Sequence, residues 1–439
     1  MTEGQGARFR VQPGGHIGGS LPLPGDKSIS HRALMLGSIA TGETHITGFL
    51  AGEDCLASAR ALGALGVRIE WLTATEAKVH GVGAGGLTGA AAPLDMGNAG
   101  TAMRLMMGLL AGQAFPSTLI GDASLMRRPM ERVAAPLRLM GAQVQTREGR
   151  PPVQLHPAAQ LQAIDYLLPV ASAQVKSALL IAALGARGLT RITEPAPSRD
   201  HTERMLSAFG VKVERHGMTL ALQGGQQLTG TAIEVPADFS SAAFFLVAGC
   251  LAADSPLILK NVGVNPTRTG LLELLQRMGA DIRVHVRGAA GAAEPVADLE
   301  VRKSALRGIT VPESLVPLAI DEFPVFFVAA ACASGETVVR GAQELRVKES
   351  DRLAGMAAGL TALGVENRLL PDGLWLRGVP QLSGATLDSL GDHRIAMAFA
   401  VAGLRSAAPL EILDVANVAT SFPGFLATAR AAGLQIEAA

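Results

Sequence analysis

The sequence predicts an α/β protein of two lobes that is built from six copies of one unit. Two observations predict this: a glycine-ended helix phrase recurs six times, and a strongly apolar helix recurs on the same period. A fixed period of this length is typical of repeat architectures. We therefore expect three units in each lobe, with buried helices inside and sheets outside.

The glycine-ended phrase marks the end of one helix in each unit. Each copy has an apolar helical stripe, then a glycine, then alternating strand residues, as in ALGALGVRIE (61–70). Glycine suits this position because it has no Cβ and adopts left-handed backbone angles readily. Successive glycines are 75, 69, 69, 85 and 69 residues apart. They are Gly66, Gly141, Gly210, Gly279, Gly364 and Gly433.

The second recurring helix is apolar on most of its faces. Its first copy is ISHRALMLGSIA (29–40), and its fourth is SSAAFFLVAGCLA (240–252). Helices of this kind are buried. A small-residue turn and a β-rich segment such as ETHITGFL (43–50) follow. The unit therefore reads as a βαβαβ-type repeat: strand, buried helix, strand, amphipathic helix, glycine, strand.

The repeat count also predicts the domain organisation. We expect a first lobe over residues 23–235 and a second lobe over residues 236–439, joined by residues 1–22, which cross back to pair with it. The longer fourth interval contains the Gly/Ala-rich stretch RGAAGAAEP (287–295), which we expect to be a surface loop.

Composition restricts the classes of function. The 38 Lys and Arg residues balance 38 Asp and Glu residues, which argues against a protein that coats nucleic acid. The three cysteines share no C-x-x-C spacing, so buried free thiols are expected. No signal-peptide pattern is present, and the apolar runs are shorter than the roughly 20 residues that span a membrane. A soluble cytoplasmic protein is expected.

The buried helices carry most of the unusual polar residues at their N-terminal ends. A helix N-terminus offers free amides and a positive dipole end, which suit anions. If the repeats pack with pseudo-symmetry, three such ends converge in each lobe around a ligand with several negative charges. In chain order the residues are Lys27, Ser28, Arg32, Asn98, Gly100, Thr101, Arg104, Ser172, Gln174, Lys176, Asp238, Ser240, Ser241, Asp321, Glu322, Asp392, His393 and Arg394.

Ordinary helix capping is the competing interpretation. Asp and Ser at a helix start are common N-caps, which explains Asp238 or Asp392 taken alone. Capping does not explain cations such as Lys27 and Arg32, because they oppose the helix dipole. An anion between them would explain both.

The stretch PGDKSISHR (24–32) also suggests a nucleotide-binding P-loop. That motif needs Gly and Lys adjacent and a second glycine upstream. Asp26 separates Gly25 from Lys27, and the upstream glycine has no match. The P-loop hypothesis is rejected on spacing.

Three loops add further charged residues. Charged runs are usually solvated helix faces, but Lys348 and Arg352 are four residues apart and share one face beside Glu349. The loops are GDASLMRRPMERV (121–133) with Arg127 and Arg128, PAPSRDHTERM (195–205) with Ser198 and Arg199, and ELRVKESDRLAGM (344–356) with Arg346, Lys348, Glu349, Asp351 and Arg352.

Together these motifs resemble one family, 5-enolpyruvylshikimate-3-phosphate synthase, also called 3-phosphoshikimate 1-carboxyvinyltransferase. The resemblance runs from PGDKSISHR through GNAGTAMR, GDASLMRRPM, ASAQVKSALL, RVKESDRL and GDHRIAM to ATSFPGF. ASAQVKSA, SRDHTE and IDEFPV are similar to the branch that includes glyphosate-insensitive bacterial enzymes. The family's fold is a two-lobed inverted α/β fold, an inside-out barrel.

The resemblance implies a reaction and a set of binding residues. The family joins shikimate 3-phosphate to phosphoenolpyruvate and releases phosphate, with no metal and no organic cofactor, in the shikimate pathway to aromatic amino acids. For shikimate 3-phosphate it implies Lys27, Ser28, Arg32, Ser172, Ala173, Gln174, Arg199, Asp321 and Lys348. For phosphoenolpyruvate it implies Lys27, Asn98, Gly100, Thr101, Arg128, Gln174, Arg352 and Arg394.

The implied chemistry is addition followed by elimination through a tetrahedral ketal. The 5-hydroxyl loses a proton and the enol methylene gains one, and elimination of phosphate then removes a methyl proton. Two carboxylates suit this traffic. We expect Asp321 to act on the 5-hydroxyl and Glu349 on the methylene, with Lys27 as a catalytic cation.

Two positions depart from the family's patterns. Some members have a lysine shortly before the TSFP phrase, whereas this chain reads DVANVATSFP. The glyphosate-insensitive branch has alanine where this chain has Gly100, and alanine crowds glyphosate more than the shorter substrate. Glyphosate is therefore expected to inhibit this protein.

Three alternatives are weighed against this interpretation. UDP-N-acetylglucosamine enolpyruvyl transferase is the nearest, but its loop cysteine has no match in GDASLMRRP. An RNA-processing protein that binds phosphate ends would need a basic surface. A binding protein without activity is disfavoured because both candidate carboxylates are present. A monomer is expected for two lobes that close on each other.

Overall fold

The computed structural model describes residues 7–287 and 294–439. The Gly/Ala-rich stretch expected to form a surface loop falls largely on residues 288–293, which lie outside the described residues. The chain divides into two compact units. Unit I is Gly25–Val235, and unit II is Met1–Pro24 with Pro236–Ala439.

The first helix of each repeat is almost entirely buried inside its own unit. Thirteen residues of the helix Phe239–Ala252 are buried, because Ala, Phe, Leu and Val occupy every face. Each unit has its own apolar core around three such helices. The six first helices are Lys27–Ser38, Gly100–Leu110, Ala173–Leu184, Phe239–Ala252, Phe323–Ala331 and His393–Ala402.

The second helix of each repeat follows a strand and leads to one of the recurring glycines. All six glycines have positive φ, from 80° at Gly364 to 106° at Gly433, which confirms the left-handed position expected after each helix. The second helices are Glu53–Ala64, Glu131–Leu139, His201–Ala208, Gly270–Arg277, Arg352–Ala362 and Phe425–Ala432.

Each repeat contributes to a small sheet, and the three sheets of unit I share one pattern. The strand after the first helix pairs in parallel with an outer strand and antiparallel with the far strand of a hairpin. In spatial order the sheets of unit I are Ala232–Glu234, Thr41–Thr47, Glu76–Val82 and Arg68–Thr73; Leu94–Asp95, Ser117–Ile120, Arg150–His156 and Gln143–Arg147; and Asp165–Leu167, Leu189–Thr193, Thr219–Gln223 and Val213–His216.

In unit II the sheet of repeat four follows this pattern, and the sheet of repeat five has three strands. In the sheet of repeat six the N-terminal strand Phe9–Gly15 takes the place of one hairpin strand. In the first five repeats the hairpin adds a second strand after the glycine, beyond the βαβαβ unit read from the sequence. In spatial order the sheets are Ile17–Leu21, Ala253–Gly263, Val296–Arg302 and Asp281–Arg287; Glu336–Val339, Gly373–Arg377 and Asn367–Leu370; and Ala385–Asp388, Leu410–Leu413, Phe9–Gly15 and Leu434–Ala438.

Three strands join sheets far from their own place in the chain. Phe9–Gly15 pairs with Leu410–Leu413 and Leu434–Ala438, and Ile17–Leu21 pairs with Ala253–Gly263, so the N-terminal segment completes two sheets of unit II. In unit I, Ala232–Glu234 pairs with Thr41–Thr47. Each unit therefore closes its first repeat with a strand from elsewhere in the sequence.

Six short helical segments complete the described structure. Two are single turns of α-helix, Val316–Ala319 and Val418–Ser421. Four are 3₁₀ turns, Leu125–Arg127, Glu313–Leu315, Gln343–Val347 and Gly403–Arg405. Two of the 3₁₀ turns lie in the charged loops at 121–133 and 344–356.

Within the described ranges, no single helix is long and apolar enough to cross a membrane. One pair of helical segments, Glu313–Ala319 and Phe323–Ala331, passes by length and composition together but is bent by 119°. The three cysteines are free thiols, as expected; Cys55 and Cys250 are buried and Cys332 is partly exposed.

Candidate active site

Repeat one of unit I begins with a capped helix and a paired lysine. Asp26 Oδ1 accepts a hydrogen bond from the backbone NH of Ile29 at 2.9 Å, which explains why an acidic residue precedes Lys27. The Lys27 ammonium lies 3.0 Å from Asp54 Oδ2 on the second helix of the same repeat. Lys27 therefore has a fixed position at the helix end, although its charge opposes the helix dipole.

Arg32 is buried one turn further along the same helix. Its Nε donates to Thr202 Oγ1 at 2.7 Å, its Nη2 to Ser177 Oγ at 2.9 Å and its Nη1 to the carbonyl of Ser28 at 2.9 Å. Ser177 lies on the first helix of repeat three and Thr202 on its second helix. Arg32 therefore joins repeats one and three through neutral oxygens, which orient a guanidinium without cancelling its charge.

His31 is a buried histidine that lies between the two cations Lys27 and Arg32 in the chain. Its Nδ1 is 2.8 Å from Ser58 Oγ, and the ring is fully buried. Burial, helped by the charges of Lys27 and Arg32, lowers the pKa of His31 to about 3. The imidazole is therefore neutral at physiological pH.

Repeat two brings two guanidinium groups against a glycine. A Cβ at Gly100 would lie 2.8 Å from Arg128 Nη1 and 3.2 Å from Arg104 Nη1. Arg128 Nη2 donates to Asn98 Oδ1, and the Asn98 amide donates to Asp122 Oδ2 at 2.6 Å. The glycine thus lets both guanidiniums approach the start of the helix Gly100–Leu110.

Gln174 joins repeats two and three. Its Oε1 accepts from Arg104 Nη1 at 2.7 Å, and its Nε2 donates to Thr101 Oγ1 at 2.8 Å. Ser172 caps the same helix, with its Oγ 3.4 Å from the NH of Val175, and Ala173 is the first helical residue. The three helix ends of unit I are therefore held together by side chains.

Repeat three places its two sequence-predicted cations differently. Arg199 is half-buried in the loop between the strand Leu189–Thr193 and the helix His201–Ala208. Lys176, one of the polar residues at the helix ends, lies in the first turn of the helix Ala173–Leu184, and its side chain is completely buried. Its ammonium is 3.0 Å from Glu194 Oε2 and 2.8 Å from Glu203 Oε1.

In unit II, Asp321 lies among three cations. Its Oδ1 is 3.2 Å from Lys348 Nζ and 3.4 Å from Arg352 Nη1, and its Oδ2 is 4.0 Å from Arg394 Nη2. Arg394 Nη1 also donates to the Asp321 backbone carbonyl at 3.0 Å. Asp321 precedes the first helix of repeat five, and Arg394 lies in the first turn of the first helix of repeat six.

Arg352 is the centre of a carboxylate cluster in unit II. Its Nη2 donates to Glu349 Oε2, and its Nε donates to Asp392 Oδ2 at 2.8 Å. Burial alone would lower the pKa of Arg352, but the charges of Asp392, Glu349 and Asp321 together raise it. The guanidinium is therefore permanently charged and fixed.

The carboxylates of unit II differ in their access to solvent. The side chains of Asp321 and Glu349 are 15% and 20% exposed, whereas those of Asp392 and Glu322 are 0% exposed. Asp392 caps its own helix, with Oδ1 2.9 Å from the NH of Arg394. A ligand can therefore reach Asp321 and Glu349 but not the other two.

Several contacting residues were not assigned roles from the sequence. Asp54 pairs with Lys27, Ser177 and Thr202 orient Arg32, and Arg104 orients Gln174. Arg104 stood among the polar helix-end residues and could have been assigned on that signal. Asp54, Ser177 and Thr202 lie in segments that read as ordinary helix.

Asn417 lies in DVANVATSFP, the C-terminal stretch in which this chain lacks the lysine of some family members. Asn417 Nδ2 donates to the carbonyl of Gly391 at 2.7 Å, so it holds the turn before the first helix of repeat six. Within the described residues, no group of His, Cys, Asp or Glu side chains could hold a metal ion.

The fold and these side chains define a class of six-repeat α/β proteins with cations and accessible carboxylates at the helix ends. The sequence model of the EPSP synthase (3-phosphoshikimate 1-carboxyvinyltransferase) family matches residues 11–428 of this chain. The 3-phosphoshikimate 1-carboxyvinyltransferases of Methylococcus capsulatus and Alkalilimnicola ehrlichii are each 57% identical to this chain. Each alignment covers 98% of this chain; it covers 98% of the Methylococcus protein and 96% of the Alkalilimnicola protein. The chain therefore belongs to the EPSP synthase family.

The comparison with solved structures agrees. An EPSP synthase structure from Acinetobacter baumannii has a TM-score of 0.88 and 50% sequence identity, and the match covers 99% of this chain and 100% of that one. The predicted family, two-lobed inverted α/β fold and enzyme class are confirmed, and the described sheets do not close into a barrel. The alternative assignment, UDP-N-acetylglucosamine enolpyruvyl transferase, is not favoured. The glyphosate-insensitive branch and the residue roles stay predictions.

Proposed function

We propose that the protein joins shikimate 3-phosphate to phosphoenolpyruvate with the residues implied by its family resemblance. The family transfers the 1-carboxyvinyl group of phosphoenolpyruvate to the 5-hydroxyl of shikimate 3-phosphate and releases phosphate. The observation that carries the proposal is the pair of accessible carboxylates, Asp321 and Glu349, which both contact Arg352.

Unit I supplies most of the side chains for shikimate 3-phosphate. Lys27 and Arg199 carry charge, Ser28 and Ser172 carry hydroxyls, and Ala173 lies at a half-buried helix start. Arg32 and Gln174 complete this set. Its support is that hydroxyl and carbonyl oxygens orient the buried guanidinium of Arg32 towards the start of its helix, where a phosphate can bind. From unit II, Asp321 and Lys348 bind the same substrate.

Phosphoenolpyruvate is held by guanidinium and amide groups. In unit I these are Lys27, Asn98, Gly100, Thr101, Arg128 and Gln174, and in unit II they are Arg352 and Arg394. The guanidinium groups of Arg128 and Arg104, which both lie close to Gly100, support this assignment. A planar guanidinium can donate two parallel hydrogen bonds to a carboxylate or a phosphate. Nε and Nη2 of Arg352 each have a short bond to a carboxylate, whereas Nη1 lies 3.4 Å from Asp321 Oδ1, so we assign Nη1 to the ligand.

The proton steps use two carboxylates and proceed through a ketal. In the first step the oxygen of the 5-hydroxyl bonds to C2 of phosphoenolpyruvate, and Asp321 accepts the hydroxyl proton. In the same step Glu349, in its protonated form, gives a proton to C3. In the second step Glu349 removes a proton from the resulting methyl group while the bond between C2 and the phosphate oxygen breaks. Lys27, Arg352 and the other cations stabilise the negative charge that develops.

Phosphate release tests this function directly. The full chain is mixed with shikimate 3-phosphate and phosphoenolpyruvate, and inorganic phosphate is followed over time. We expect release only when both substrates are present. Release that requires UDP-N-acetylglucosamine instead of shikimate 3-phosphate, or no release at all, would overturn the proposal.

We also propose that glyphosate competes with phosphoenolpyruvate. The support is Gly100, whose missing Cβ leaves room beside Arg128 Nη1. Inhibition at micromolar concentrations, relieved by phosphoenolpyruvate, is expected. Activity that persists in millimolar glyphosate would contradict this proposal.

We further propose a cytoplasmic monomer. The support is that each unit buries its own apolar core and that the substrates are phosphorylated metabolites. Light scattering coupled to gel filtration should give the mass of one chain, 45.2 kDa. A mass of two chains would contradict the monomer, and cell fractionation tests the location.

A further inference from the structure

A buried charge cluster in repeat three has no part in the mechanism described above. Lys176 and Glu194 have side chains with 0% exposure, and Glu203 has 10%. Burying a lysine costs several kcal/mol unless its charge is paired and its protons are bonded.

The ammonium of Lys176 has three acceptors. Glu194 Oε2 lies at 3.0 Å, Glu203 Oε1 at 2.8 Å and the carbonyl of Ser198 at 3.3 Å. Two hydrogen bonds and a second ion pair therefore compensate the buried charge. Lys176 is therefore a three-way junction rather than one half of an ion pair.

The three acceptors belong to one short loop and its two ends. Glu194 follows the strand Leu189–Thr193, and Glu203 lies in the first turn of the helix His201–Ala208. Ser198 lies between them, and its hydroxyl also donates to Glu194 Oε1. Ser198, the residue before Arg199, is thus held by its backbone carbonyl and by its hydroxyl.

Lys176 also connects this loop to the helix that carries other proposed substrate ligands. The helix Ala173–Leu184 begins at Ala173 and is capped by Ser172, so the junction lies within one turn of both. Arg215 reaches the cluster from the surface, 3.2 Å from Glu203 Oε1 and 3.7 Å from Glu194 Oε2. Two cations therefore balance the two buried carboxylates.

We propose that Lys176 is a positioning residue that fixes Arg199 relative to Ser172 and Gln174 for binding shikimate 3-phosphate. This inference rests on the proposed function. Lys176 touches no substrate, and its effect passes through the Ser198 carbonyl and the two glutamates. The interactions with phosphoenolpyruvate in unit II do not depend on it.

The test is calorimetric titration of shikimate 3-phosphate into the full chain, combined with urea unfolding. Lys176→Met should weaken binding of shikimate 3-phosphate by about 10- to 100-fold, the range that a misplaced group costs. The KM for phosphoenolpyruvate should change far less. Leu180→Ala, a buried apolar change on the same helix, is the control that lowers stability without reaching the loop.

A charge-balanced double variant separates positioning from stability. Lys176→Met with Glu203→Met leaves Glu194 opposite Arg215, so the stability lost in the single variant should largely return. The Ser198 carbonyl still has no ammonium, so the affinity for shikimate 3-phosphate should stay low. This variant also keeps the test decisive if Lys176→Met alone does not fold.

Three outcomes overturn the inference. Affinity that returns together with stability in the double variant, or affinity unchanged in the single variant, would show a purely structural lysine. A wild-type chain that does not bind shikimate 3-phosphate would overturn the proposed function and this inference with it. If the wild-type chain and the variants bind shikimate 3-phosphate equally well, only this inference is overturned and the proposed function stands.

Discussion

Unit I and unit II are each built from three copies of the same repeat, but their helix ends carry different chemistry. In unit I, Arg32 donates to two hydroxyls and a carbonyl, and Arg128 donates to the amide oxygen of Asn98. In unit II, the single side chain of Arg352 contacts the carboxylates of Asp321, Glu349 and Asp392. Asp321 in turn has the cations of Lys348, Arg352 and Arg394 within 4.0 Å.

The difference shows how one repeat can serve two chemical tasks. A neutral acceptor orients a guanidinium and leaves its charge to act on a ligand, whereas a carboxylate partner compensates that charge. Burial, helped by the charges of Lys27 and Arg32, lowers the pKa of His31, so this residue of unit I carries no charge at neutral pH. Unit I is therefore suited to hold anions, and unit II is suited to move protons.

The largest effect should come from removing an accessible carboxylate in unit II. Asp321→Asn keeps the size of the side chain but cannot accept the proton, so kcat should fall by about 10²- to 10⁴-fold. The affinity for shikimate 3-phosphate should change by much less, as measured by calorimetry. Glu366→Gln, the same chemical change at an exposed site of unit II, is the control. A kcat within threefold of wild type would remove Asp321 from the mechanism.

Removing a guanidinium from unit I should affect binding more than rate. Arg128→Ala should raise the KM for phosphoenolpyruvate by about 10- to 100-fold, since a hydrogen bond to a charged group contributes roughly 1.5–3 kcal/mol. Arg127→Ala is a matched control, because Arg127 is exposed while its neighbour Arg128 is buried. Equal effects of the two changes would contradict the assignment. Steady-state kinetics at fixed shikimate 3-phosphate measures both.

His31 should make unit I sensitive to acid. Burial, with Lys27 and Arg32, lowers its pKa from 6.5 to about 3. The unfolded chain therefore takes up this proton first as the pH falls below 6.5, and unit I loses about 1.4 kcal/mol of stability per pH unit down to about pH 3. His31→Gln should remove this part of the slope, and His216→Gln, at an exposed site, should not.

Tryptophan fluorescence can isolate that slope. The chain has two tryptophans, Trp71 and Trp375. Trp71 contacts Phe49 in unit I, with ring centroids 5.1 Å apart. In a Trp375→Phe background, urea unfolding between pH 7 and pH 5 thus reports unit I. Parallel slopes for wild type and His31→Gln would contradict the prediction.

The smallest effect should come from Gly100. The Cβ of Gly100→Ala would push the mobile end of Arg128, so we expect a retained fold and a KM for phosphoenolpyruvate raised about fivefold, equivalent to about 1 kcal/mol. Gly63→Ala adds a Cβ in open space on a helix of unit I and should leave the KM unchanged. An unchanged KM in both variants would separate Gly100 from the binding of phosphoenolpyruvate.

Much of the fold could be predicted from the sequence because its signals are local. The apolar helices and the glycines at helix ends repeat every 69 to 85 residues, and all six glycines have the expected positive φ. The strand after each glycine was predicted, but the second strand of the hairpin that follows the first five glycines was not. The first of these hairpins turns at Ala74–Thr75, between Arg68–Thr73 and Glu76–Val82, where no Gly, Pro, Asn or Asp marks the turn.

The sequence by itself determined the repeat, the fold class, the family and the residue types gathered at the helix ends. Only the tertiary structure decided which partner each of these residues meets. Arg32 meets Ser177 across 145 positions of sequence, and Lys176 joins both ends of the loop that carries Arg199. Helix and strand periods follow from neighbouring residues, whereas these contacts exist only after packed helices bring distant segments together.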